Sequence, residues 1–237
     1  MSGRSVHTLH GREATLSGQK RELLAICHAL HSKGWVANHD GNVSLRLPGG
    51  RFLISPTALS KRVLQETDLI VVDRAGRVLQ GGRRPFSEFK MHLAAYEARS
   101  DVMAVVHAHP PAATGLAVAG QAVQPKMIAE AIVSIGDEVP LVPYYFPNSA
   151  DLIAALRKAA DRFDVVTMAN HGVLGWGDDL EQAFLRVELV EHLASIQLRA
   201  QQADGPKLVP DTDVQRLLAK RAKAGLGPEG RRLKGLR

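Results

Sequence analysis

Two histidines one residue apart, His107 and His109, close the apolar run VMAVVHAH. On a strand, alternate side chains project from one face, so both imidazoles reach the same point; on a helix the same spacing would turn them apart. A third histidine, His171, follows the apolar run DVVTMAN and precedes Gly172 at a turn. Three imidazole nitrogens converging from strand ends leave one position of a divalent metal open to water or a substrate oxygen, as a catalytic zinc site requires. Glu88 follows Pro85-Phe86-Ser87 at the expected start of a helix, where two roles stay open. The helix dipole favours a carboxylate there whatever the protein does, and the same carboxylate is able to move a proton.

The elements that must position these residues follow from hydrophobic period and turn chemistry. Residues 17–33 carry apolar side chains at helical spacing, with Gly34 to stop the helix. NVSLRL and RFLIS flank Pro48-Gly49-Gly50, and DLIVVD and RVLQ bracket Arg74-Ala75-Gly76, so two strand pairs follow. PFSEFKMHLAAYEARS reads as a helix, and the β-branched run up to His109 reads as a strand that Pro110 and Pro111 terminate. Strands near VPLVP and DVVTMAN alternate with helices near SADLIAALRKAADRF and DLEQAFLRVELVEHLASIQLRAQQ. Hairpins early and alternating elements later predict a mixed sheet with helices on both faces.

A chain of 237 residues with 45% hydrophobic content is expected to form one α/β domain over residues 18–203, with an N-terminal extension at 1–17 and a flexible basic tail at 204–237. Seven basic residues and one acid between Lys220 and Arg237 account for the whole formal net charge of +6. With four glycines and no aromatic residue, this stretch reads as a solvated tail, not a specific nucleic-acid site. No run approaches the roughly 18 apolar residues of a membrane span, and the start lacks the apolar middle of a secretory signal, so a cytoplasmic protein is expected. The single cysteine, Cys27, lies in an apolar helical run and reads as a core thiol.

Five short motifs occur in order: Gly41-Asn42-Val43-Ser44, Ser55-Pro56-Thr57-Ala58, Pro85-Phe86-Ser87-Glu88, His107-Ala108-His109-Pro110 and Asn170-His171-Gly172. In that order and approximate spacing, over about residues 18–200, they resemble the class II aldolase/adducin family. Its members include sugar-phosphate aldolases, ribulose-phosphate 4-epimerases, methylthioribulose-phosphate dehydratases and decarboxylases. The resemblance implies a three-layer α/β/α sandwich with a mixed central sheet, assembled as a homotetramer with active sites at subunit interfaces. It implies that His107, His109 and His171 hold Zn2+, or Mn2+, Co2+ or Fe2+, and that Glu88 transfers the proton. Asn42, Thr57, Ala58 and Ser87 are implied to line the substrate or phosphate pocket. The expected reaction is aldol-type carbon–carbon cleavage of a small hydroxy-ketone, sugar or sugar phosphate through a metal-stabilised enediolate, with decarboxylation or dehydration as alternatives. A non-catalytic, adducin-like interaction protein is disfavoured because all three histidines and Glu88 are present.

The chain departs from the fuculose-phosphate aldolase pattern at three places. Ala58 stands where that group has glycine, Phe86 stands where it has serine, and the tyrosine expected after the His-x-His segment has no match. The first two substitutions are expected to weaken phosphate binding, and the third leaves the general acid unassigned.

Overall fold

In the computed structural model, residues 15–235 are described. The extension expected at 1–17 lies outside them except for its last three residues, of which Leu16 and Ser17 already belong to the first helix. That helix, α1 (Leu16–Ser32), begins at Thr15, whose side chain accepts from the Gly18 amide at 3.2 Å. Two predicted hairpins follow: β1 (Asn42–Leu47) with β2 (Arg51–Ile54), and β3 (Ile70–Val72) with β4 (Val78–Gln80). Next come α2 (Phe89–Ala98) and β5 (Ala104–Ala108). Pro110 and Pro111 end the strand as expected, but Pro111 also opens an unpredicted helix, α3 (Pro111–Val118), because proline suits the first helical turn. After α4 (Ala129–Ile135) come β6 (Leu141–Val142), α5 (Ala150–Arg162), β7 (Val165–Met168), β8 (Gly172–Gly177) and α6 (Leu180–Gln201).

The strands form one eight-stranded sheet in the order β4-β3-β2-β1-β5-β8-β7-β6. Only β6 and β7 pair in parallel; the other neighbours are antiparallel, so the sheet is mixed as predicted. Strand alternation sorts the core onto its two faces. Leu53, Val71, Val106 and Val173 meet Leu23 and Leu30 of α1, Leu116 of α3, and Val187, Val190 and Leu193 of α6. Ile54, Ile70, Val105 and Leu174 meet Phe89, Met91 and Tyr96 of α2, and Leu152 and Leu156 of α5. This is the three-layer α/β/α sandwich. Cys27 is fully buried in the first cluster, and burial pushes its thiol up to about 12. Among the described residues, no helix is long and apolar enough to cross a membrane.

The basic tail departs from expectation. Instead of a flexible segment, α7 (Asp211–Lys223) and α8 (Gly227–Leu233) pack back on the domain. Arg221 and Arg231 join Arg99 and Arg186 around Asp164, which is almost fully buried. Arg99 also pairs with the Asp101 carboxylate, and three of the arginines reach carbonyls at helix ends: Arg221 bonds Val133 and Ser134 at the end of α4, and Arg99 and Arg231 bond Phe163 and Asp161 at the end of α5. Helix C-termini leave carbonyls without partners and carry partial negative charge, so they offset the excess of guanidinium over carboxylate.

Asp164→Asn should cost about 3–5 kcal/mol, because removing one partner strands buried charges. Urea denaturation measures this. Limited trypsin digestion should spare Arg221 and Arg231 in the native protein and cut them in the variant, whereas a flexible tail would be cut in both.

Candidate metal centre

The register of β5 sets the site. His107 lies opposite Asn42 of β1 on one side and Leu174 of β8 on the other. Strand parity puts His107 on the same face as Val105, the face covered by α2. Asn42 and Ser44 share that face by the same rule, with Val43 and Leu45 opposite. Just beyond the strand, the His109 backbone amide donates to the Trp35 carbonyl at 2.9 Å. The turn into α3 is tied down by Glu191 of α6, whose carboxylate accepts from the Ala112 and Ala113 amides at 3.0 and 2.8 Å. His171 sits in the short turn between β7 and β8, where Asn170 takes the left-handed conformation that asparagine tolerates (φ 55°).

Two glycines let these segments approach. A Cβ on Gly172 would lie 2.5 Å from the Ala108 carbonyl oxygen and 2.5 Å from the His109 ring. Gly41 has φ +68°, and a Cβ there would lie 2.4 Å from Val36 and 3.0 Å from the His107 carbonyl oxygen. Both motif glycines are therefore required by contact with β5.

The ligand atoms of His107, His109 and His171 all lie within 4.8 Å of one another. The Nε2 atoms of His107 and His109 approach to 3.1 Å, close to the edge of about 3.3 Å that tetrahedral coordination at zinc–nitrogen distances implies. His107 Nδ1 donates to the Val173 carbonyl at 2.8 Å, since only an N–H satisfies a carbonyl, and this leaves Nε2 with a bare lone pair facing its neighbours. Burial pulls the His107 pKa down to about 3 and lowers that of His109, so both stay neutral, the form that ligates a metal. Three imidazoles, one with its tautomer fixed from behind, form a donor set suited to a divalent cation of the zinc type.

Glu88 occupies the N-cap position of α2, as the sequence predicts, but its side chain makes no capping hydrogen bond. The carboxylate turns into the histidine cluster: Oε1 lies 2.9 Å from His171 Nε2, while Oε2 accepts from Asn42 Nδ2 at 2.8 Å and stands 3.6 Å from His107 Nε2. Burial opposes its ionisation, but the hydrogen bonds from the His171 ring and the Asn42 amide outweigh that and hold the carboxyl well below the usual range. A dipole-stabilising role would keep the carboxylate on its own helix, and here it turns away from that helix toward the histidines.

The expected pocket residues are only partly gathered. Asn42 spends its amide on Glu88 and His92. Thr57 and Ala58 sit on a loop that a Pro56–Pro85 bridge and a 3.0 Å bond from the Thr57 amide to the Arg84 carbonyl join to the segment carrying Ser87. Ala58 and Ser87 are exposed. Ala58 adopts φ +56°, a left-handed conformation that costs a residue with a Cβ about 1–2 kcal/mol. Phe86 does not enter an anion pocket; its ring is buried against Phe89 and His92. Asp40 reads in the sequence as a turn residue, yet its carboxylate stands 3.8 Å from His109 Nδ1. Lys61 is fully buried and points its ammonium at the His39 carbonyl at 3.4 Å, a placement that no local pattern signals.

Purified protein should hold one divalent ion per chain, and single alanine replacements of His107, His109 or His171 should each lower that content. Elemental analysis reads it directly. Stoichiometric metal in a His107→Ala, His171→Ala double variant would show that the ion binds elsewhere.

Residues 21–198 match the family model described as the class II aldolase and adducin N-terminal domain. The chain is 30% identical over 207 residues to the 5-deoxy-D-ribulose 1-phosphate aldolase of Bacillus thuringiensis, covering 86% of this chain and 96% of that enzyme. It is 32% identical over 189 residues to the methylthioribulose-1-phosphate dehydratase of Acidiphilium cryptum, covering 76% and 90%. Its fold superposes on a solved L-fuculose 1-phosphate aldolase with a TM-score of 0.79 at 30% identity, covering 89% of this chain and 99% of that one. With residues 21–198 matching the family model and a fold that superposes on a solved aldolase over 89% of its length, the chain belongs to the class II aldolase/adducin family.

Proposed function

We propose that this protein is a zinc-dependent aldehyde-lyase that cleaves a carbon–carbon bond in a small phosphorylated ketose. The observation that carries this reading is the Glu88 carboxylate, which leaves its helix N-terminus uncapped and lies among His107, His171 and Asn42. His107, His109 and His171 would hold a divalent cation, which when bound would supply positive charge to oxyanion character on a substrate ketone oxygen. His107 and His109, kept neutral by burial, hold their lone pairs ready for that ion. Glu88 moves the proton at the adjacent carbon: the carboxylate removes it in the condensation direction, and the carboxylic acid returns it on cleavage. Thr57 and Ser87 offer hydroxyl groups to the substrate's anionic end from their two bridged loops. The exposed rings of Tyr144 and Phe146 supply apolar surface for the subunit contacts of a homotetramer. A second reading, loss of water from a similar ketose phosphate, is supported by the similarity to the Acidiphilium dehydratase.

Glu88→Gln keeps the shape of the side chain and removes the base. It should reduce turnover by about 10²–10⁴-fold, with stability changed by only about 1 kcal/mol. Cleavage of 5-deoxy-D-ribulose 1-phosphate, of L-fuculose 1-phosphate and of their unphosphorylated analogues, read by product analysis, tests the reading. Release of two carbonyl fragments supports the lyase, loss of water supports the second reading, and unchanged turnover in Glu88→Gln would reject Glu88 as the proton carrier.

A further inference from the structure

Behind Glu88 a file of polar side chains runs into the core. Asn42 Nδ2 stands 2.8 Å from Glu88 Oε2, and Asn42 Oδ1 stands 2.6 Å from His92 Nε2. His92 Nδ1 lies 2.7 Å from Ser44 Oγ, which lies 2.7 Å from the Tyr96 hydroxyl. Asn42, Ser44, His92 and Tyr96 are 4, 0, 0 and 5% exposed, so water does not compete for these groups. Phe86 packs against the His92 ring with centroids 4.9 Å apart, and Phe52 packs against Tyr96 at 5.0 Å.

Chemistry fixes every hydrogen along the file. An ionised carboxylate only accepts, so Asn42 presents its NH2 to Glu88 and its oxygen to His92. That oxygen only accepts, so His92 Nε2 carries the hydrogen. Burial pulls the His92 pKa down to about 3, which keeps the ring neutral and Nδ1 bare. Nδ1 must then accept from the Ser44 hydroxyl, and Ser44 in turn accepts from Tyr96, whose phenol burial keeps protonated. Reversing one bond would require reversing all of them.

We propose that His92 is a positioning residue for Glu88: held as its Nε2–H tautomer by Ser44 and Tyr96, it locks the Asn42 amide with Nδ2 toward Glu88 Oε2. Glu88 Oε1 is then the oxygen that exchanges a proton with substrate, a consequence that rests on the proton-transfer role given to Glu88 above. Without the lock, Asn42 is free to turn over and set its oxygen against the carboxylate. His92 lies one helical turn after Glu88 on the same face of α2, so both side chains reach β1 together.

Two variants separate positioning from packing. His92→Gln keeps a donor where Nε2 stood, whereas His92→Phe keeps ring volume and has no donor. With 5-deoxy-D-ribulose 1-phosphate as probe, His92→Phe should lower kcat about ten- to a hundredfold, with KM within about threefold and metal content unchanged. His92→Gln should stay within about threefold of wild type in kcat. A packing role gives the reverse order, and that order would overturn the proposal. Long-range ¹H–¹⁵N NMR of the zinc-loaded full chain, labelled at histidine, reads the tautomer without turnover. A neutral Nε2–H ring at His92 is expected at pH 6–8; an Nδ1–H tautomer or an imidazolium overturns the proposal, even if neither variant folds. Loss of turnover in Glu88→Gln with both His92 variants fully active rejects the His92 role alone, while an active Glu88→Gln rejects the reading beneath it.

Discussion

The site depends on the burial of β5 at the middle of the sheet, hydrogen-bonded to β1 on one edge and β8 on the other. A central strand has no freedom of register, because a one-residue slip would exchange its faces. Here that slip would carry His107 from the side of α2 to the side of α1, α3 and α6, and would bring Val106 to face Glu88. The same pairing aligns Asn42 with His107, so the amide that bonds Glu88 and an imidazole of the histidine triad share one rung of the ladder. Gly41 and Gly172 make this rung possible by leaving room for the β5 backbone on either side.

Burial then sets the electrostatics. Imidazoles removed from water resist protonation, so His92 and His107 are neutral donors and acceptors with fixed tautomers. A carboxylate removed from water resists ionisation, and Glu88 overcomes this only because its hydrogen-bond partners converge on it. The pocket thereby holds its polar groups in one arrangement before any substrate arrives, which avoids reorganisation during the reaction.

The β7–β8 hairpin is held at both ends. Its turn delivers His171, while its open end is anchored by Asp164, by the Trp176 indole donating to the Phe163 carbonyl at 3.0 Å, and by Arg186 bonding the Trp176 carbonyl. The tail helices reach this same anchor through Arg221 and Arg231, so a segment remote in sequence from the histidines supports the hairpin that presents one of them.

By itself, the sequence determined the strand run that ends in His-x-His, the helix that begins near Glu88, the mixed α/β class and the three metal-ligand candidates. Each of these rests on local period or turn chemistry, which a few neighbouring residues encode. Tertiary structure alone decided where the Glu88 carboxylate points, because a helix N-terminus suits a carboxylate that caps its own helix and one turned toward distant histidines equally until its partners are known. It also placed Phe86 in the core and turned Asn42 toward Glu88 and His92, outcomes set by strands and helices far apart in the chain. The basic tail is the clearest case. Lys220 to Arg237 carries the composition of a solvated segment, and only the unpaired carbonyls at the ends of α4 and α5, with Asp164 between them, turn two of its arginines into buried anchors.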